Sequence, residues 1–451
     1  MYEKTNSRQK LVIIGGGAAG MAVATHTKRH GNYSITVISK DEHTAYSQCG
    51  IPFVLGGEIE DFNELIVKKP EFFEQMGINI RLNTTVNVID IDSKTIYLGD
   101  EILSFDKLVI ATGSRTQIPD NIKPNIELDN VFTLRTLSDG MKIQNALKNT
   151  DNLTIIGGGS IGVEVAASAA KRGINTTLVN RNYSLLSHNI DPDMSEIVRS
   201  YLVSMGVGVI TDTVPESING TATVESVTID GTDIPTDTVI ISAGVLPDTS
   251  LARNTQIEIG KSGGIVVDEQ LRVKIGDAFH TDVFSGGECA EVYNLITREP
   301  FVSQLGSTAR RMAAVIADNL CGTPSTFGPI INPWVCVAGD FQIGSVGLTS
   351  RIAEKNGENI ITGMSKGLTR ASYYPEGSQI FIKLIFSDRY LIGAQVIAGE
   401  GVKERIDGLA FAIRKRGTID EMLEMETCYA PPVSMLIDPI MYAIKDAYKK
   451  M

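Results

Sequence analysis

Two glycine-rich turns of one design, and a change of texture near residue 330, predict an α/β chain: two Rossmann-like dinucleotide-binding domains and a C-terminal α+β domain. The first turn is Gly15-x-Gly17-x-x-Gly20. The apolar run Leu11-Val12-Ile13-Ile14 leads into it, Met21-Ala22-Val23-Ala24 follows, and Ile35-Thr36-Val37-Ile38 comes next. That order reads strand, turn, helix, strand, the setting in which such a turn binds a dinucleotide. The second turn, Gly157-x-Gly159-x-x-Gly162, lies between Leu153-Thr154-Ile155-Ile156 and Thr176-Thr177-Leu178-Val179, with a helix through Ala170. A lone turn of this kind is weak evidence, because tight glycine turns are common; two complete βαβ settings are strong evidence. Beyond residue 330, Gln379-Ile380-Phe381-Ile382-Lys383-Leu384-Ile385-Phe386 is rich in β-branched and aromatic residues and predicts an antiparallel sheet. Helices are expected around 400–416 and 434–448.

Each glycine has its own physical task. The first permits the tight turn, the second lets backbone approach a pyrophosphate, and the third lets helix and strand pack closely, so that the helix N-terminus meets the negative charge. Candidate cofactor-binding residues are therefore Gly15, Gly17, Ala18, Ala19 and Gly20, and Gly157, Gly159, Ser160, Ile161 and Gly162. An Asp or Glu at the end of the following strand usually binds the ribose 2′-OH of NAD. Here Val179 is followed by Asn180-Arg181 with no acid. Arg181 can meet a 2′-phosphate, which favours NADPH or use of both NADPH and NADH. The matching position after the first turn is Ser39, followed by Lys40, with Asp41 and Glu42 close enough to take over the ribose contact.

With 451 residues the chain suits two or three domains. Its 43% hydrophobic and 21% charged residues are ordinary for a globular protein, and a net charge of -12 argues against nucleic acid or an anionic membrane as partner. No apolar run is long enough to span a bilayer, residues 1–10 are polar, and the chain reads as cytoplasmic. Five cysteines (49, 289, 321, 336 and 428) form no C-x-x-C, and five histidines show no metal-ligand spacing, so no metal site is expected.

Cys49 stands out, in Tyr46-Ser47-Gln48-Cys49-Gly50-Ile51-Pro52-Phe53. No second cysteine follows within six residues, so no local dithiol can form. Pro52 fits the first turn of a helix, which places Cys49 just before a helix N-terminus, where positive partial charge is expected to lower the thiol pKa. The bland alternative is a small buried hydrophobe.

These residues resemble the single-cysteine branch of the pyridine nucleotide-disulfide oxidoreductases. The branch holds coenzyme A-disulfide reductases, persulfide and polysulfide reductases, NADH oxidases and NADH peroxidases. Leu108-Val109-Ile110-Ala111-Thr112-Gly113-Ser114 resembles the motif where the chain leaves the flavin domain, and Val239 to Asp248, through Gly244, the motif where it returns. Thr281-Asp282-Val283-Phe284-Ser285-Gly286-Gly287-Glu288 resembles the segment whose terminal acid binds the ribityl chain of FAD; the family usually has Asp, one methylene shorter. Tyr373-Tyr374-Pro375 and Tyr429-Ala430-Pro431-Pro432 resemble dimer-domain segments that reach the partner subunit's active site.

The resemblance implies FAD and NADPH or NADH as cofactors and a homodimer. It implies an FAD-binding domain of residues 1–118 and 249–324, an NAD(P)-binding domain of 119–248 and a dimerisation domain of 325–451. Electrons would pass from NAD(P)H through FAD to Cys49, which exchanges with a disulfide, persulfide or polysulfide, coenzyme A disulfide among the candidates. Tyr429, with Tyr373 or Tyr374, would handle the leaving thiolate, and Glu164 would position the nicotinamide. Lys28 and Arg29 stand where coenzyme A-disulfide reductases place basic residues against phosphates, and Gln48 stands where the family has Asn. The oxidase and peroxidase members carry a histidine in the first turn; Gly17-Ala18-Ala19-Gly20 has none. The competing expectations are an NADH oxidase making water or peroxide, and a redox-sensing flavoprotein.

Overall fold

The computed structural model describes residues 8–451; of the polar opening stretch, residues 1–7 lie outside it. Two sheets with helical crossovers, parallel except for one antiparallel edge strand, Arg272–Ile275, in the first, carry the first two thirds of the chain. In the first, Gln9–Ile14 sits centrally, paired in parallel with Tyr33–Ile38 on one side and Lys107–Ile110 on the other. Ile78–Arg81 extends it beyond Tyr33–Ile38, and Ala278–Ser285 returns from far along the chain to pair in parallel with Lys107–Ile110. Leu11, Ile13, Ile35, Leu108 and Val109 are at most 2% exposed, as strands covered on both faces must be.

The second sheet repeats the plan. Asn152–Ile156 is central, between Asn175–Asn180 and Thr238–Ile241, with Gly208–Thr211 and Val131–Thr133 at the edges. Between the sheets the chain crosses twice, and the crossings pair: Ser114–Thr116 runs antiparallel to Val245–Pro247. Two further bonds tie the ribbon, Asp248 N to Gly113 O at 2.9 Å and Thr112 Oγ1 to Asp248 O at 2.6 Å.

The third unit is a five-stranded antiparallel sheet in the order Trp334–Ala338, Phe341–Gly347, Tyr390–Ala398, Gln379–Ser387, Ile360–Leu368. Helices Val402–Arg414 and Pro439–Tyr448 cover it. The last helix begins at residue 439 rather than 434. Asp438 caps it by accepting from Ile440 N, and Pro439, which lacks an N–H, fits the position where helical amides have no partner. Among the described residues no helix is long and apolar enough to cross a membrane.

Candidate active site between two dinucleotide cradles

Both glycine turns have the same backbone. Gly15 and Gly157 adopt φ +120°, and a Cβ on them would lie 2.0 Å from the Ala111 carbonyl and 2.3 Å from the Ser242 carbonyl. Gly20 and Gly162 press against the first glycine of their own turn, where a Cβ would come within 2.0 and 1.9 Å of its carbonyl oxygen. Gly17 and Gly159 differ from these, since a Cβ there would meet nothing within 4 Å. They are the N-caps of the helices Ala18–His30 and Ser160–Lys171, and neither helix has a side-chain cap. Two sets of first-turn amides thus face open space, which suits a pyrophosphate and fits the dinucleotides that the turns imply.

Both turns open into one cavity of about 2440 Å³, bordered also by Cys49, Arg135, Glu164 and Glu288. Single small-molecule pockets hold roughly 300–1,000 Å³, so this space suits two extended ligands. Ala18, Ala19, Ser160 and Ile161 line it beside the glycines, as do Ser39, Lys40, Ala111, Thr112, Gly113 and Gly244. Lys40 also pairs with Asp248 at 3.3 Å, tying the first strand end to the crossing ribbon.

The second strand end works differently from the first reading. Asn180 is 7% exposed and its amide is spent on the loop: Oδ1 accepts from Gly158 N at 3.0 Å, and Nδ2 donates to the Asn182 and Ser184 carbonyls. It shapes the turn rather than offering a free side chain to a ribose. Arg181 is exposed and lines the cavity together with Asn182, Ser187 and His188.

Cys49 lies in the short turn Gln48–Gly50, directly before the helix Ile51–Gly56, with Pro52 in its first turn. Both Cys49 and Gln48 are open to the cavity. The expected acidification of the thiol is reversed. Enclosure by protein pushes the Cys49 thiol up, and the carboxylates of Glu164 and Glu288 add to this, while Arg135 works against it. Loss of water around the thiol, reinforced by the two acids, outweighs the partial positive charge at the helix start.

Glu164 projects from the helix Ser160–Lys171 and accepts from Val337 N of the C-terminal sheet at 3.2 Å. Burial raises its carboxyl from 4.5 to about 7. Glu288 accepts from Ser114 Oγ at 2.6 Å and is ion-paired with Arg135. Arg135 was not marked by any motif, and its partner lies 153 residues away. Cys336, also at the cavity wall, is 3% exposed, and burial holds its thiol well up, with Glu164 adding to this.

Five sequence candidates are not brought to this cavity. Lys28 donates to the Gly77 carbonyl at 3.1 Å near the end of its helix, and Arg29 beside it is exposed, so neither lines the site within one chain. Tyr373 and Tyr429 meet each other instead, their hydroxyls 2.9 Å apart. They are 73% and 42% exposed, with Tyr374 nearby at 37%.

Comparison with known proteins places this geometry. Residues 9–313 match the pyridine nucleotide-disulphide oxidoreductase profile, and residues 333–438 match the dimerisation domain of the same family. The chain is 37% identical over 453 residues to a protein of Methanocaldococcus jannaschii named NADH oxidase, covering 98% of this chain and 99% of the other. It is 30% identical to the NAD(P)H coenzyme A polysulfide/persulfide reductase of Pyrococcus horikoshii, over 96% and 97% of the two chains. Among solved structures it is similar to an NAD-dependent persulfide reductase from A. fulgidus, with TM-score 0.93 and 30% identity over 98% of this chain and 83% of that one. Proteins of this family use FAD and NAD(P)H. The chain belongs to the pyridine nucleotide-disulphide oxidoreductase family.

Proposed function

We propose that this protein is an NAD(P)H-dependent flavoprotein reductase of small sulfur substrates, a disulfide, persulfide or polysulfide, acting through the single thiol of Cys49. The observation that carries this reading is the place of Cys49: open to the one cavity that both dinucleotide turns share. FAD, when bound, supplies two-electron transfer between a nicotinamide hydride and a sulfur acceptor. The chain's own residues do the rest. The first turn, with Ala111, Thr112, Gly113, Ser39, Lys40 and Glu288, holds FAD. The second turn, with Arg181 and Gly244, holds NAD(P)H, and Glu164 borders the nicotinamide end. The Cys49 thiolate attacks one sulfur of R–S–S–R′, forming Cys49–S–S–R and releasing R′–S⁻, which takes a proton. Two electrons from NAD(P)H then cleave this mixed disulfide, returning the thiolate and R–S⁻.

The raised Cys49 thiol fits the resting enzyme, since a neutral thiol is protected from adventitious oxidation until substrate and cofactors enter. In this reading residues 1–118 and 249–324 bind FAD, 119–248 bind NAD(P)H, and 325–451 form a homodimer. Val433 and Leu436, 70% and 69% exposed beside the tyrosine pair, supply apolar surface for the second subunit. Tyr429 and Tyr373 would reach the partner's thiol there and protonate the leaving sulfur. The reading requires neither nucleic acid nor membrane, and it places the enzyme in the cytoplasm, where a free thiol is kept reduced.

The second reading, an oxidase, is favoured by the M. jannaschii relative named NADH oxidase. The first turn, Gly17-Ala18-Ala19-Gly20, offers no acid or base to manage oxygen. NAD(P)H consumption with coenzyme A disulfide, polysulfide, hydrogen peroxide and oxygen, compared on one preparation, separates the two. Turnover with oxygen alone, and none with sulfur acceptors, would sink the reductase reading.

A further inference from the structure

We propose that Arg135 is a positioning residue of this site: it pins the Glu288 carboxylate beside the flavin-side turn and balances the acids around Cys49. Three distant segments meet to build the arrangement. Arg135 follows the strand Val131–Thr133 and directly precedes a capping box, and its own N–H donates to Asp139 Oδ2 at 3.0 Å, which fixes its backbone. Its guanidinium reaches across to Glu288 and lies 3.8 Å from where a Cβ on Gly113 would sit, against the segment Ala111-Thr112-Gly113. Glu288 follows Gly287, which turns with φ +84° against Ala19 of the first helix, and its second anchor is Ser114 Oγ. The side chains of Arg135 and Glu288 are 19% and 16% exposed, so the pair is shielded enough for its charges to matter.

The Glu288 carboxylate is shared between Ser114 and Arg135, 174 and 153 residues away in the chain. Cys49 lines the same cavity as Glu164 from the second cradle helix, Glu288 from the flavin-side segment, and Arg135; the two carboxylates push its thiol up and Arg135 opposes them. Without Arg135 the thiol would face two carboxylates and no compensating cation from that set. Arg135 therefore acts on Cys49 by its own charge, as the one cation of that set, and on FAD by fixing where the Glu288 carboxylate points.

The inference rests on Cys49 being the reactive thiol, and it is tested without any sulfur acceptor. FAD-loaded wild type, Arg135→Gln, Arg135→Lys, Glu288→Gln and the double variant Arg135→Gln/Glu288→Gln are alkylated with iodoacetamide across pH. The Cys49 peptide is followed by mass spectrometry, because Cys428 is also exposed. Arg135→Gln should raise the pH of half-maximal reaction by about one unit, a tenfold shift, and release FAD at least about tenfold more readily. Glu288→Gln should lower the midpoint, the double variant should return it toward wild type, and Arg135→Lys should keep it near wild type. An unmoved midpoint in Arg135→Gln, with wild-type thermal unfolding, overturns the proposal. So does a Glu288→Gln variant whose midpoint fails to fall, since Glu288 would then not be an acid that Arg135 balances at the thiol. If Arg135→Gln does not fold, Glu288→Gln alone decides, and an unmoved midpoint overturns the proposal. None of these outcomes touches the acceptor assay, which judges the function separately.

Discussion

The two cradles share a backbone and part company in their side chains. Gly15 and Gly157 have the same φ, Gly17 and Gly159 the same open space, and Gly20 and Gly162 the same contact with their own turn. Backbone geometry decides that a dinucleotide is held; the residues around the turn decide which one and for what. After the first turn the strand ends in Ile38 and Ser39-Lys40 follow it, and the second position past the third glycine is Ala22. After the second, the strand ends in Asn180 followed by Arg181, and the matching helix position is Glu164. Both strand ends are followed by a base, but Lys40 is paired with Asp248 whereas Arg181 is exposed, and only the second cradle adds an acid, Glu164, in its helix.

The comparison is broken most severely at the point where both cradles deliver. Cys49→Ser should lower disulfide or polysulfide reduction by roughly 10³-fold or more, while NAD(P)H still bleaches the flavin. The cradles handle hydride without this thiol, and a serine hydroxyl cannot form the mixed disulfide. Rapid anaerobic reoxidation of the mutant by polysulfide, followed by stopped-flow absorbance, would remove Cys49 from the scheme and turn attention to Cys428.

A milder break separates the cradles. Alanine at Gly15 or Gly157 forces a Cβ into a carbonyl oxygen at a φ that L-residues avoid, a strain of about 1–3 kcal/mol before any clash. Gly15→Ala should yield protein poor in FAD. Gly157→Ala should remain yellow but reduce slowly with NAD(P)H, its KM raised. If both substitutions remove flavin alike, the two turns are not independent sites.

The architecture was legible because it rests on local patterns. Apolar strand, glycine turn and small-residue helix are contiguous, and the backbone leaves little choice once they are present. The charge around Cys49 was not legible. A helix start after the cysteine suggested a lowered pKa, but the helix Ile51–Gly56 is short, and Glu164, Glu288 and Arg135 arrive from elsewhere in the chain. Arg135 carries no spacing signal, because its partner comes from another strand end. Asn180 misled for a related reason. Its amide is consumed by Gly158, Asn182 and Ser184, which only the folded loop reveals.

Arg181 sharpens the contrast between strand ends. Replacing it with Ala should raise the KM for NADPH roughly tenfold while leaving NADH nearly unchanged, the loss of one charge-assisted contact to a 2′-phosphate. Equal effects on both nucleotides in steady-state kinetics would mean that Arg181 does not read the phosphate. A strong native preference for NADH would carry the same message.

The smallest effect concerns Glu164, the residue that the first cradle replaces with Ala22. Burial raises its carboxyl from 4.5 to about 7, and the N–H of Val337 recovers only part of that. The folded state therefore holds this proton across a window, from 4.5 to about 7, in which the unfolded chain has released it. Stability from this group is highest at the acidic end and falls as pH rises through the window, levelling off above about 7, where folding must bury an ionised acid. Glu164→Gln keeps the side chain's size and removes the charge at every pH. Its melting temperature should exceed that of wild type more at pH 8 than at pH 5, in the same buffer and with FAD bound. A difference that is the same at both pH values would show that Glu164 does not titrate in this range. The second cradle's acid would then be ionised at rest, as an exposed carboxylate is.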